Sequence, residues 1–247
     1  MASFYDKLSD DVDYRKWSDF IEQIIKKYAK IDTNVILDLA CGTGSMTVEL
    51  SKKGYEMIGI DISPEMLAEA YKKSNEQGQN ILFLNQDMCN IDLYGTIDAC
   101  VCCLDSLNYI TDISNLKRCL SLVNLFMNDG GLFIFDVNTP YKFKNIYGNN
   151  AFILENDGVL CAWQNSYDEG SKLCEFDLSF FVDNGNGVYN RFDEVQTEKS
   201  YTGEELKSVL NECSFEILGV YSDHNFNEVQ KNDERWYYVC RAINNNK

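Results

Sequence analysis

No cluster of lysine or arginine interrupts this acidic chain. Its 247 residues carry 22 Lys and Arg against 39 Asp and Glu, a formal net charge of -17. A phosphate backbone or an anionic lipid surface asks for a concentrated basic footprint, so neither is expected as the main partner. The densest basic run, Lys26-Lys27-Tyr28-Ala29-Lys30, reads as the solvated end of a helix, where cations suit the dipole. Long apolar runs are also missing. None reaches the roughly 18 residues of a membrane-crossing helix. The polar, acidic start of the sequence does not read as a secretory leader, so a cytoplasmic location is expected. Histidine is nearly absent. His224 stands alone, in Ser222-Asp223-His224-Asn225, and reads as a solvated loop residue after a strand. Cysteine is plentiful, with ten, but its cluster Cys100-Val101-Cys102-Cys103 lies in an apolar run, where thiols act as small hydrophobes. Buried free thiols in a reducing compartment are expected, and no metal site.

What is present begins at Val35. Val35-Ile36-Leu37 and Leu39 read as a buried strand with Asp38 near its end. Gly42 and Gly44 then bracket one residue, and a helix pattern follows from Ser45 to Lys53. A strand running through a glycine turn into a helix N-terminus brings backbone N–H groups close to a ligand. The dinucleotide fingerprint wants a third glycine where Thr47 stands, and a phosphate loop wants a lysine that is not there.

Four more apolar runs end on polar residues. Met57-Ile58-Gly59-Ile60 ends at Asp61, about twenty residues past the glycine turn, where such folds bind ribose hydroxyls. Ser63-Pro64 then opens a helix, Ser as N-cap and Pro at the first position. Ile81 to Leu84 leads to Gln86-Asp87-Met88, Ala99 to Leu104 leads to Asp105-Ser106-Leu107-Asn108-Tyr109, and Leu132 to Phe135 ends at Asp136-Val137-Asn138. Strands alternate with helices over this stretch, the pattern of a parallel sheet whose strand ends share a ligand-binding edge. The helix over Ile113 to Met127 is expected to stop before Gly130-Gly131.

From Phe152 to Tyr201 the alternation breaks. Runs at Val159 to Tyr167, Lys172 to Val182 and Val188 to Ser200, separated by Asp168-Glu169-Gly170-Ser171 and Asn184-Gly185-Asn186-Gly187, predict an antiparallel meander. Thr202 with Glu205 forms a capping box for a following helix. Before the first strand, Trp17, Phe20, Ile21, Ile24, Ile25 and Tyr28 repeat every 3 or 4 residues and give one helix face to bury.

The Asp38-Leu39-Ala40-Cys41-Gly42-Thr43-Gly44 run resembles the first motif of class I S-adenosylmethionine-dependent methyltransferases, with Ala40 where that family often has a glycine. With Tyr5-Asp6, Leu8, Asp13-Tyr14, Trp17 and Leu104-Asp105-Ser106, the whole chain is similar to bacterial small-molecule methyltransferases of the sugar amine and glycine N-methylating kind. The resemblance implies an α/β fold. It is a Rossmann-like, seven-stranded, mostly parallel sheet with helices on both faces, plus an antiparallel β lid inserted after the fifth strand. It implies an N-terminal helical cap over 1–31, a cofactor-binding core over 32–140 and 201–247, and a lid with the acceptor site over 141–200.

The resemblance also implies roles. Asp38, Ala40, Cys41, Gly42, Gly44, Asp61, Ile62, Met66, Gln86, Asp87, Met88 and Leu104 would hold S-adenosylmethionine, with Asp61 on the ribose, Asp87 and Met88 at the adenine, and Asp38 organising the glycine loop through its backbone N–H groups. Asp105, Tyr109 and Tyr14 would serve catalysis, and Tyr5, Trp163, Tyr167 and Arg191 the acceptor, with Glu194 a further candidate; Trp17 reads as core. The expected reaction is in-line displacement onto a small molecule, an amine nitrogen first, without metal, in a monomer or weak homodimer. The alternatives are a protein or tRNA methyltransferase and a non-catalytic cofactor-binding protein. Such a reaction rests mainly on holding two reactants in line and excluding water.

Overall fold

A computed structural model describes residues 12–243 together with Asp6 and Leu8. Two sheets organise the chain. The larger comprises β1 (Val35–Leu39), β2 (Glu56–Asp61), β3 (Leu82–Asn85), β4 (Ile97–Cys102), β5 (Met127–Asn138), β10 (Phe215–Tyr221) and β11 (Arg235–Ala242), in the order β10-β11-β5-β4-β1-β2-β3. Strands β1 to β5 pair in parallel, while β11 runs antiparallel to both β5 and β10. This is the mostly parallel seven-stranded sheet anticipated above.

The strand period of two divides the core. Leu37, Leu39, Cys100, Cys102, Phe133 and Phe135 face one side, where α4 (Ile113–Phe126) and α5 (Gly203–Glu212) pack through Leu116, Leu120, Leu206 and Leu210. Ile36, Met57, Val101 and Ile134 face the other. There α1 (Tyr14–Tyr28), α2 (Ser45–Lys52) and α3 (Pro64–Glu76) bring Phe20, Ile21, Ile24, Val48, Leu50 and Leu67. Cys100 and Cys103 stand three apart but fall on opposite sides of the sheet, so their spacing does not make a ligand pair. All ten cysteines are free, and all but Cys89 are buried.

Local signals work where the backbone demands them. Asp13 caps α1 by accepting from the Lys16 N–H at 2.9 Å. Ser63 accepts from the Met66 N–H, with Pro64 opening α3. Thr202 and Glu205 form the reciprocal capping box of α5. The glycine pair does not stop α4. The helix ends at Phe126 and β5 begins at once, so Gly130 and Gly131 sit inside the strand, at a register shift against β4. A Cβ on Gly131 would lie 2.7 Å from the Asp98 carbonyl oxygen, which is why no larger residue fits.

The second sheet is a meander of β6 (Ala151–Asn156), β7 (Val159–Asp168), β8 (Leu173–Asp183) and β9 (Tyr189–Lys199). It follows β5 in the chain and has one strand more than the periodicity indicated. β6 and β7 are joined by Asp157-Gly158, both left-handed (φ 45° and 76°), a two-residue hairpin turn of the primed kind. The meander is fastened to the strand-end edge of the main sheet at its root. Asn108 Nδ2 donates to the Lys199 carbonyl at 2.8 Å, and the buried Tyr201 hydroxyl donates to the Ile110 carbonyl.

Candidate active site

Three clefts run along the carboxyl ends of β1 to β4. The first surrounds the glycine turn. Ala40, Gly42 and Gly44 all take left-handed backbone (φ 60°, 54° and 74°). Asp61, ending β2, accepts from the Gly42 N–H at 2.9 Å and the Ser63 N–H at 2.8 Å, so one carboxylate ties the turn to the start of α3. Asp38 acts elsewhere than expected. Its buried carboxyl accepts from the Thr47 hydroxyl at 2.6 Å and fastens the first turn of α2 rather than the loop. Burial pushes Asp38 up to about 7 and the Cys41 thiol well above its usual value.

The space over this turn is about 450 Å³, lined by Tyr14, Ala40, Cys41, Gly42, Asp61, Ile62, Met66, Leu104 and Asp105 among others. A Cβ on Gly42 meets no atom within 4 Å, so a side chain there would project into the opening. Gly44 differs. Its Cβ would stand 2.9 Å from that of Ala70, so this glycine lets α2 and α3 approach. Lys73 Nζ joins Asp6 at 2.7 Å to the Thr43 hydroxyl at 3.1 Å, tying Asp6 to the turn.

The second cleft, about 290 Å³, opens beside the first and holds Gln86, Asp87, Met88, Cys89 and Asn115. Both clefts are bounded by Ala40, Asp61, Ile62, Met88 and Tyr109. Asp87 accepts from the Cys89 N–H at 2.8 Å and so caps the short turn at Met88–Asn90. The Gln86 side-chain amide is occupied by the Asp92 backbone, to which it both donates and accepts.

The third is a chamber of about 240 Å³ between the main sheet and the meander. Apolar walls come from Tyr147, Leu154, Cys161, Trp163, Phe176 and Phe180, and the polar side from Asp105, Tyr109, Gln196 and Glu198. It shares Asp105, Tyr109 and Gln196 with the glycine-turn cleft, so the two meet at those residues. Tyr109 donates to Gln196 Oε1 at 2.9 Å across the junction.

Electrostatics concentrate at that junction. Leu104 and Asp105 are consecutive left-handed residues (φ 58° and 55°), an arrangement that costs of order 1–3 kcal/mol per residue and gathers at functional sites. It turns Asp105 so that its N–H donates to Asp136 Oδ2 at 3.0 Å and its carboxylate meets Arg235 at 2.6 Å. Arg235 also binds the wholly buried Asp136. Glu198 is buried and accepts from Asn138 Nδ2 at 3.2 Å. Burial pushes its carboxyl well above the usual range, while burial, then Arg235, lowers Lys142.

The anticipated residues separate into groups. The structure brings Tyr14, Asp105, Tyr109, Leu104 and the glycine-turn residues together, and places Gln86, Asp87 and Met88 beside them. Trp163 faces the chamber and Glu194 the glycine-turn cleft. Tyr167 lies on Phe143, with ring centroids 6.0 Å apart, and Arg191 pairs with Asp193 on the exposed surface; neither lines the chamber. Tyr5 lies outside the described residues. From the sequence Arg235 reads only as a partner for some acid, with no role, and Glu198 is not singled out. The strand period could have found Glu198, because Glu194, Gln196 and Glu198 alternate inward on β9 while Arg191 has the opposite parity. His224 is not a solvated loop residue. Its ring packs against Trp17, Phe20 and Tyr237 at 4.8–5.0 Å, and burial pushes it down to about 4.

Known proteins are similar to this chain in sequence and in fold. Residues 36–131 match the family model described as a methyltransferase domain. The putative methyltransferase YqeM of Bacillus subtilis (strain 168) is 34% identical over 241 residues, 97% of this chain and 95% of that protein. The glycine/sarcosine N-methyltransferase of Halorhodospira halochloris is 30% identical over 228 residues, 89% of this chain and 80% of that protein. Among solved structures, an S-adenosylmethionine-dependent methyltransferase from Clostridium acetobutylicum ATCC 824 has a TM-score of 0.90 at 37% identity, with 98% of each chain covered.

Proposed function

The chain belongs to the class I S-adenosylmethionine-dependent methyltransferases, and from that membership we propose that it methylates the nitrogen of a small-molecule amine held in the chamber under the four-stranded sheet. One observation carries the choice of acceptor. The chamber is small and mostly apolar, yet two carboxylates, Asp105 and Glu198, line its polar side. A basic peptide would ask for a longer acidic groove, and a neutral phenol offers no positive charge for two carboxylates to hold. The similarity to a glycine/sarcosine N-methyltransferase supports the same direction.

The glycine-turn cleft suits the cofactor. Gly42 leaves open space where a Cβ would project, Asp61 stands at the β2 end for ribose hydroxyls, and Ile62 and Met88 supply apolar flanks near Asp87. Tyr14 lines the same cleft, where an aromatic face favours a sulfonium. S-adenosylmethionine supplies the electrophilic methyl group and its own thioether leaving group. The chain's residues supply position and dryness. The left-handed Leu104-Asp105 pair and Tyr109 form the passage between cleft and chamber, Trp163 and Phe176 wall the acceptor's far side, and the β6–β9 meander shields that side from water. Holding two reactants so aligned can lower a barrier by roughly 7–11 kcal/mol.

The test is product formation from labelled cofactor with a panel of glycine, sarcosine, glucosamine, phenethylamine and, as oxygen acceptors, catechol and phenol. Turnover confined to amines is expected. Turnover of the phenols alone would overturn the reading.

A further inference from the structure

Five ionisable side chains meet where the chamber touches the main sheet, and they do not balance. Arg235 and Lys142 are the cations; Asp105, Asp136 and Glu198 are the acids. Arg235 is shared by Asp105, at 2.6 Å, and by Asp136. Among the described residues Glu198 has no ion pair within 4 Å, and the hydrogen bond it accepts from Asn138 comes from a neutral amide. Its side chain lines the chamber from the inward face of β9. Desolvation of a carboxylate with no cation at contact is relieved by a proton or by a cationic ligand.

Resting on the amine reading above, we propose that Glu198 is the base that takes the proton from the acceptor's ammonium group. The acceptor enters as an ammonium ion. One N–H bond breaks, its pair stays on nitrogen as the lone pair, and the proton binds the Glu198 carboxylate. The freed lone pair forms the new N–C bond as the S–C bond breaks and its electrons go to sulfur. The product leaves as the methylated ammonium, and Glu198 returns its proton to water, so that one proton is released per turnover.

Asp105 is the poorer candidate, because its carboxylate is committed to Arg235. The groups facing Glu198 are Asp105 from the β4 end, Arg235 on β11, Lys142 and Tyr147 after β5, and Cys174 on β8. Burial, then Asp105, strengthens its hold on a proton, whereas the Asn138 hydrogen bond, Arg235 and Lys142 weaken it, and the net direction is up. A base with a raised proton affinity is suited to an amine near neutrality.

The experiment compares wild type, Glu198→Gln and Glu198→Asp on whichever amine of the panel turns over fastest, with cofactor affinity followed by calorimetry. Wild-type kcat/KM should be level between the Glu198 and ammonium titrations. In Glu198→Gln it should fall about 10²-fold or more at neutral pH. It should then climb tenfold per pH unit towards the acceptor's own pKa, because only the free amine reacts. Cofactor binding should be unchanged, which shows that the variant is folded, and Glu198→Asp should restore the level region. Wild-type kcat/KM and pH profile in Glu198→Gln would overturn the role of Glu198 and leave the amine reading standing. A wild-type enzyme that methylates no amine would remove that reading and this inference together.

Discussion

Arg235 Nη2 stands 2.6 Å from Asp105 Oδ1, so the last strand of the main sheet grips the turn that separates the cofactor cleft from the acceptor chamber. The same guanidinium binds Asp136, which has no solvent exposure. One planar cation with several donors in a fixed fork serves two acids at different angles, which an ammonium on a flexible stem does poorly. The conformation of Leu104-Asp105 is held from outside by this contact and from below by the Asp136 carboxylate.

Arg235→Ala should therefore leave two acids without their cation, one of them wholly buried. Breaking a buried pair by removing one partner costs about 3–5 kcal/mol. Urea unfolding should show a loss of that size, and acceptor KM should rise even in whatever fraction remains folded. Arg235→Lys should recover part of the stability, because the charge survives while the fork does not.

The two glycines of the turn should respond differently. Ala at position 44 meets Ala70 at 2.9 Å and must hold φ at 74°, so Gly44→Ala should cost about 2–4 kcal/mol of stability. Ala at position 42 meets no atom but keeps φ at 54°, so Gly42→Ala should cost only about 1–2 kcal/mol. Its methyl projects into the opening, and the greater effect should be weaker cofactor binding. Denaturation and calorimetry on both variants separate the two roles; equal effects on affinity at equal stability would count against the reading of Gly42.

The glycine turn was legible because its chemistry is local. Strand, left-handed turn and helix start lie within Val35 to Lys52, and each carries its own signal. Asp157-Gly158 is equally local and marks the β6–β7 hairpin as plainly, although the apolar runs on either side drew the reading instead. Arg235 is another matter. Its partners Asp136 and Asp105 lie 99 and 130 residues away, and no pattern near Arg235 announces either. On β9, Arg191 and Glu194 were considered as joint acceptor contacts, yet three positions along a strand put them on opposite faces. His224 looked solvated because its neighbours are polar, but the residues that bury it come from α1 and β11.

That histidine predicts a pH response. His224 is pushed from 6.5 down to about 4, and its buried Nε2 has no hydrogen-bond partner among the described residues. The unfolded chain therefore binds the proton more readily than the fold does. The contribution is present above pH 6.5 and is lost as pH falls from there towards 4. The shift alone would amount to about 3 kcal/mol, and the partial exposure of the ring brings this to roughly 1–2 kcal/mol. Asp38, raised from 3.8 to about 7, acts in the opposite sense, adding stability at low pH that fades as pH rises through 7. His224→Phe removes only the first effect. Relative to wild type, its urea midpoint should rise steadily as the pH is lowered from 6.5 to 4. A constant difference across that range would show that the ring does not titrate as its packing requires.

The chamber walls supply the last contrast. Trp163 lines the chamber with its ring 5.6 Å from that of Phe176, whereas Arg191, on β9, is exposed and bound to Asp193 and Ser179. Burying an aromatic side chain against a ligand is worth about 1.5–3 kcal/mol, so Trp163→Ala should raise acceptor KM by roughly 10- to 100-fold. Cofactor affinity should not change, because Trp163 does not line the glycine-turn cleft. Arg191→Ala should leave KM and stability within about 0.5 kcal/mol of wild type, as surface substitutions usually do. Steady-state kinetics on the two variants, with the acceptor varied at saturating cofactor, distinguish an acceptor held in the chamber from one that binds on the outer face of the meander. If Arg191→Ala raises KM and Trp163→Ala does not, the acceptor lies outside, and the apolar chamber is then part of the lid's own core.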